Sequence, residues 1–321
     1  MNGYTVTLYS SGDSLPPMPA GSFFHSPELF HIIEKTPGHY PFMAVVTGPD
    51  GKVVAHMMAI FRRTRWALFG KAQIYGEGDY ESDEPSAPLF GMMLEALTHC
   101  FRSRLCLVAE ISGLSRKMFA YRQFRQCGYF PIRWQEVSNS LHSVPPGERL
   151  TDKTLRNIRQ GKAMGVVCRE ARSREDVKAF YRLLTRYYRT KWRRYIPSEA
   201  VIAALWGNAH IRIFLTFYKE RLIGGSLCAY DRGDAWLAFM ASRRKTYRRL
   251  HPDTLTVWHA IHWAWRHNYA HIKFTDVGLP YHGNPVRRFI LGFGGKPVAR
   301  YRWFRIFFPW VSRLVGWFYR E

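Results

Sequence analysis

Residues 211–276 read IRIFLTFYKERLIGGSLCAYDRGDAWLAFMASRRKTYRRLHPDTLTVWHAIHWAWRHNYAHIKFTD, and the order of elements within them decides the fold. Ile211 to Tyr218 alternates with the two-residue period of a strand, Lys219-Glu220 turns, and Leu222 to Tyr230 returns. Asp231-Arg232-Gly233-Asp234 turns again, and Ala235 to Ala241 forms a third strand. A basic loop follows, then a Trp-rich helix from Thr254 to Asn268 and a strand from Ile272 that closes on Asp276. Three strands in a meander, a helix and a returning strand make a mixed α/β (α+β) sheet flanked by helices.

Working outward, the first half shows the same order. Ser26-Pro27-Glu28 caps and opens a helix that Pro37-Gly38 stops. Strands from Phe42 to Thr47 and Val53 to Phe61 flank the turn Gly48-Pro49-Asp50-Gly51. The Gly-rich loop Tyr75-Gly76-Glu77-Gly78, an apolar helix from Leu89 to Phe101 and a strand from Leu105 to Glu110 complete the unit. Asp50 to Glu110 spans 60 residues and Glu220 to Asp276 spans 56, so the spacing predicts two copies of one α/β unit.

Between the copies, Val144-Pro145-Pro146-Gly147-Glu148 reads as a break, which places one domain at 1–145 and a second at 146–321. Leu155 to Gly161 is a short basic helix. Ser173-Arg174-Glu175-Asp176 then starts a helix that buries Val177, Phe180, Tyr181, Leu184, Tyr187 and Tyr188 at three- and four-residue spacing. Its opposite face carries Lys178, Arg182, Arg186 and Arg189, and Lys191, Arg193 and Arg194 extend the charge.

A chain of 321 residues exceeds the roughly 100–200 usual for one domain, which agrees with two. With 47% hydrophobic and 16% aromatic residues it has enough apolar surface to fold, unlike a disordered chain. The net charge is +23, and it is lopsided: residues 1–150 hold 14 Lys and Arg against 13 Asp and Glu, residues 151–321 hold 33 against 11. The second domain therefore attracts anions, whether RNA, phosphorylated cofactors, lipid head groups or nucleotide-linked precursors. Five irregularly spaced cysteines without a CxxC pair fit a reducing compartment. The start, MNGYTVTLYSSGD, does not read as a secretory signal, and no run of 18 uncharged apolar residues occurs. The expectation is a cytoplasmic protein that does not span the membrane, with a peripheral position at the inner membrane surface as the alternative.

The chain contains no Walker loop, HExxH, GxSxG or complete GxGxxG after a strand, which argues against a P-loop hydrolase, a zincin, an α/β-hydrolase and a dinucleotide dehydrogenase. His259 and His262 share a helix, with His267 and His271 nearby, but no third ligand has convincing spacing, so no metal site is expected. The loop holding Arg243, Arg244, Lys245, Tyr247, Arg248 and Arg249 precedes a helix start, where phosphate binds well. Lys191, Arg287 and Arg288 are further candidates for phosphate. Asp276 stands at a strand's carboxyl end and His282 in the loop beyond it, where ligands collect in α/β units; both are candidate catalytic bases or orienting groups. Glu77, Asp79 and Glu110 in the first domain read as surface acids, with contact to an acceptor amine as the alternative. The tail from Tyr301 to Arg320 mixes aromatics with four arginines, which reads either as a segment docking on anionic membrane or as a strand and short helix covering the core.

Five segments carry a resemblance: LRNIRQGKAMGV (Leu155–Val166), RLIGGSLCAYDRGDAWLAFMAS (Arg221–Ser242), LHPDTLTVWHAIHWAW (Leu250–Trp265), FTDVGLP (Phe274–Pro280) and RRFILGFGG (Arg287–Gly295). In this order they resemble the tandem GNAT-like family of FemAB-type aminoacyl transferases and the BioF2-like and CelD-like acyltransferases. The resemblance implies two GNAT-like domains and transfer of an acyl or aminoacyl group to an amine, with cell-envelope metabolism as the setting. The family's Phe-Lys-x-Gly-Phe-Gly pattern reads here Phe289-Ile290-Leu291-Gly292-Phe293-Gly294, leaving Arg287 or Arg288 to stand in for the lysine. The junction Tyr247-Arg248-Arg249-Leu250-His251-Pro252 lacks the glycines that hold coenzyme A in single-domain relatives. The donor therefore stays open among acyl-coenzyme A, acyl carrier protein and aminoacyl-tRNA. A non-catalytic RNA-binding module with a basic, aromatic surface is the alternative.

Overall fold

The computed structural model describes residues 3–63, 69–82, 84–189, 196–275, 277–280, 283–308 and 311. In chain order the strands and α-helices of the first half are β1 (Thr5–Tyr9), α1 (Pro27–Glu34), β2 (His39–Thr47), β3 (Val53–Arg63), β4 (Gly70–Tyr75), β5 (Asp79–Tyr80), α2 (Ala87–Ser103), β6 (Cys106–Ser112), α3 (Tyr121–Gln126) and β7 (Phe130–Ser140). There follow α4 (Asp152–Ala163), β8 (Val167–Glu170), α5 (Arg174–Tyr188), α6 (Glu199–Leu205), β9 (Ile211–Tyr218), β10 (Arg221–Asp231), β11 (Asp234–Ser242), α7 (Pro252–Arg266), β12 (His271–Phe274), α8 (Pro285–Leu291) and β13 (Lys296–Ile306).

The chain divides into two compact units, one made of Met1–Trp134 with Ala299–Glu321 and the other of Gln135–Val298. Residues from 299 onward, placed with the second domain by the sequence, thus group with the first.

In the first unit the strands run β1-β2-β3-β4-β6-β13. The apolar run of β2 is buried on both sides: Phe42, Ala44 and Val46 join Phe90, Leu94 and Leu97 of α2 in one core, while Met43 and Val45 are equally buried and face the other way. β4 lies parallel to β6 in a register that ends at Tyr75↔Ser112, and Gly76 N–H closes the pair by donating to the Ser112 carbonyl at 2.7 Å. β13 pairs antiparallel with β6. Trp303 is wholly buried and stacks on Phe124 with ring centroids 4.3 Å apart. This part of the tail, Tyr301 to Ile306, is therefore sheet; residues 309, 310 and 312–321 lie outside the described residues.

In the second unit the order is β7-β12-β11-β10-β9-β8. α5 packs on β10 and β11, and α7 packs on β9, β10 and β11. Two adjacent glycines of β10 let these helices come close on opposite sides. A Cβ on Gly224 would stand 2.4 Å from Thr256 Oγ1 of α7, and one on Gly225 would stand 2.8 Å from the Phe180 ring of α5. The expected helix at 173–189 is present as α5: Ser173 Oγ accepts from the Asp176 N–H, and Val177, Phe180, Leu184 and Tyr188 face inward. Among the described residues no helix is long and apolar enough to cross a membrane.

Candidate functional site

β11 and β12 are parallel neighbours, paired at Asp234↔His271, Ala235↔Ile272 and Trp236↔Lys273. A bulge shifts the β10–β11 register, so that Leu227 faces Phe239 and Cys228 faces Leu237, which leaves Ala238 as the extra residue. Bulges bend the strand that carries them. Past it β11 stays with β10 as far as Ser242↔Gly224, whereas the chain leaving β12 follows β7, whose Gln135 N–H donates to the Gly278 carbonyl at 3.2 Å. The loops after β11 and β12 leave the same end of the sheet, but different neighbours hold their bases. The equivalent pair of the first unit, β4 and β6, ends in step and is tied together.

The loop after β11 is fixed through its backbone. Arg243 N–H donates to the Ile223 carbonyl at 2.7 Å, Tyr247 N–H to Arg243 at 3.0 Å and Leu250 N–H to Tyr247 at 3.0 Å. Leu250 is buried against Ile158, Val166, Ile223 and Leu255, and His251, in the left-handed region at φ +48°, delivers the chain to Pro252 at the start of α7. With the apolar residue turned in, Arg244, Lys245, Arg248 and Arg249 are exposed, and Arg243 and Tyr247 are half-buried. The structure thus gathers these six candidates in one turn. Arg287 belongs to the segment after β12, where its Nη1 donates to the Leu279 carbonyl at 2.9 Å, and Arg288 is exposed on α8. Asp276, His282 and Lys191 lie outside the described residues.

Asp253 is the residue the sequence reading missed. It is only 6% exposed, accepts the Thr254 N–H on Oδ1 at 3.0 Å, and holds Arg244 Nη1 3.3 Å from Oδ2. A carboxylate of the chain itself therefore occupies an amide at the start of α7 and compensates one of the loop's cations. Affinity for phosphate at this point would come from the remaining side-chain charges more than from helix amides. The Pro-Asp pair at a helix start is the signal that could have located it.

The acids of the first unit are not free surface groups. Glu77 is 9% and Asp79 2% exposed. Glu77 Oε1 accepts from the Ser115 N–H at 2.6 Å, and Asp79 Oδ2 accepts from the Ser22 N–H at 2.8 Å with His56 Nε2 at 3.5 Å. Glu110 pairs with Arg302 at 3.1 Å. Glu77 ties two loops together, Asp79 holds the Ser22 loop to β5, and Glu110 links β6 to β13. Burial pushes the thiols of Cys106 and Cys228 up to about 12, which keeps them protonated and unreactive as nucleophiles. Among the described residues no group of three or more His, Cys, Asp or Glu side chains could hold a metal ion.

Comparison with known proteins agrees with this architecture. Residues 150–282 match the family model described as an acetyltransferase (GNAT) domain. No curated protein matches the chain in sequence. Among solved structures, FemX superposes with a TM-score of 0.65 at 10% identity, covering 94% of this chain and 96% of its own. The C-terminal domain of a putative lysylphosphatidylglycerol synthetase from Agrobacterium fabrum gives 0.57 at 10% identity, covering 96% and 90%. A tandem GNAT protein from the clavulanic acid biosynthesis pathway gives 0.58 at 11% identity, covering 88% of each chain. The chain has the tandem GNAT fold seen in these structures, and within its second unit residues 150–282 match the acetyltransferase (GNAT) model.

Proposed function

We propose that the chain transfers an acyl or aminoacyl group from an activated, phosphate-bearing donor to an amine acceptor in cell-envelope metabolism. The observation that carries this is the cation-rich turn Arg243–Arg249, set between β11 and α7 inside the matched GNAT domain. Its backbone is anchored and its charged heads are exposed, as a site that grips phosphates requires. FemX and a putative lysylphosphatidylglycerol synthetase among the structural neighbours support the envelope setting.

In this reading Asp276 or His282 takes the proton of the acceptor amine, directly or through a water, as the nitrogen attacks the donor carbonyl. The tetrahedral oxyanion is stabilised by backbone amides and nearby arginine, and collapses by expelling the donor's thiol or hydroxyl. Arg287 or Arg288 assists at the phosphate.

The test incubates the purified protein with acyl-coenzyme A, acyl carrier protein thioesters and aminoacyl-tRNA, each with a panel of amine acceptors including aminated lipids and peptidoglycan precursors. Transfer that falls at least about a hundredfold, the size of a general-base contribution, in Asp276→Asn supports the reading. Transfer unchanged in both Asp276→Asn and Arg288→Ala overturns the assigned roles. Salt-sensitive nucleic-acid binding with no transfer from any donor would favour the RNA-binding alternative.

A further inference from the structure

A second cleft in the same unit lies between the end of α4, strand β8 and α7, and it encloses about 300 Å³. Its floor is apolar: Val166 and Leu255 are buried there, packed with Cys168, whose Sγ is turned to Thr216 Oγ1 at 3.4 Å. One wall is aromatic, built by three residues of α7: Trp258, His259 and His262. Trp258 and His262 lie with ring centroids 5.6 Å apart, and His259 sets its ring edgewise on Phe214 at 4.9 Å. Lys162, the exposed penultimate residue of α4, stands at the mouth.

Four residues with polar groups line this cleft: Lys162, Trp258, His259 and His262. None of these side chains makes a hydrogen bond or ion pair among the described residues. The charges felt at the two imidazoles come from Lys162, Arg266 and His262, and no carboxylate is among them. Burial keeps His259 neutral near neutral pH, so it offers a donor without adding a cation.

An apolar cavity with a few convergent polar groups is the form that small-molecule sites take, and a volume of about 300 Å³ stands at the small end of their range. An uncompensated ammonium beside neutral donors selects one negative charge, while the floor and the Trp258 face select an apolar body. We propose that this cleft binds a small amphipathic monoanion, an aliphatic or aromatic carboxylate, with its carboxylate on Lys162 and the α7 imidazoles and its apolar body against Val166, Leu255 and Trp258. The site takes no part in the transfer reaction proposed above and does not depend on it.

The test titrates the full-length protein with octanoate and benzoate, and in parallel with octanol and benzyl alcohol, by calorimetry and by imidazole NMR. The expected result is at least one acid binding tenfold or more tightly than its alcohol. The His259 and His262 signals then move, and their titrations rise as a nearby anion favours the imidazolium. Lys162→Gln, at an exposed position, is expected to abolish the preference for the acid, and His262→Gln to weaken the acid more than the alcohol. Equal binding of acid and alcohol, absence of binding by all four probes, imidazole signals unmoved at saturation, or an acid preference surviving in Lys162→Gln would each overturn the proposal.

Discussion

Gly161 of α4 rests on the backbone of Leu250: a methyl group at its Cα would stand 2.7 Å from the Leu250 carbonyl oxygen and 2.5 Å from Leu255 Cδ1. The position of the cation-rich turn therefore depends on a hydrogen atom one helix away. Gly161→Ala gains roughly 1 kcal/mol of helix propensity and meets an overpacking cost of about 1–3 kcal/mol against a backbone atom that cannot swing aside. We expect a net loss of up to about 2 kcal/mol, read as a lower denaturation midpoint, together with weaker phosphate binding at the turn.

Asp253 and Arg244 should respond unequally. Asp253→Ala removes the acceptor for the Thr254 amide and should cost about 0.5–2 kcal/mol, whereas Arg244→Ala removes an exposed partner and should cost no more than about 1 kcal/mol. Asp253→Asn keeps an acceptor and deletes the charge. Calorimetry should show it binding pyrophosphate several-fold more tightly than the wild type.

Arg248→Ala and Arg249→Ala are expected to raise KM for a phosphate-bearing donor while leaving kcat within about twofold, because exposed charges of this kind hold substrate without touching the reacting bond. The defect should shrink as ionic strength rises and the wild type loses the same attraction. Steady-state kinetics at two salt concentrations decides it.

Trp303→Ala should cost about 3–5 kcal/mol, the range for truncating a buried aromatic. Loss of the Phe124 stack adds to the cavity left behind. Thermal denaturation should show the first unit melting earlier, while signals from residues 135–298 stay near their original transition.

Burial, reinforced by His262 and Lys162, lowers the His259 imidazole from 6.5 to about 4. Between these values the unfolded chain binds the proton and the folded one resists it, so stability is complete above pH 6.5 and is lost as pH falls toward 4. The contribution is about 3–4 kcal/mol at about 1.4 kcal/mol per pH unit. His259→Gln should flatten the dependence of the denaturation midpoint between pH 7 and pH 4.5, and an unaltered slope would show that other groups set it.

The elements that the sequence revealed are those with a one-sided apolar pattern and a clear stop. α5 has its Ser173 cap and inward stripe, and β9 and β10 are joined by a two-residue turn. β4 escaped notice because six residues that begin with glycine and carry a lysine and a glutamine show little periodicity alone; the parallel partner β6 makes them a strand. β13 stayed open between two readings. Alternating arginine and aromatic residues suit a membrane surface as well as a half-buried strand, and the strand shows only in its pairing with β6 and the stack of Trp303 on Phe124. At the site, the cation run at 243–249 was legible as charge, but the carboxylate of Asp253 beneath it and the missing side chain of Gly161 were not. Asp253 left only the Pro-Asp signal at the start of α7, and the Gly161 effect arises from tertiary contact that leaves no mark on composition.

The assignment of β13 to the first unit has a consequence for synthesis. Residues 135–298 interrupt that unit in the chain, so its final strand leaves the ribosome only after the whole insert has emerged. Folding from the amino terminus onward, the usual vectorial order, is then unavailable to the first unit. The insert is expected to acquire its native structure first, while the amino-terminal residues wait with an open sheet edge at β6, and a chain ended at residue 298 and released should be protease-resistant in its later half alone.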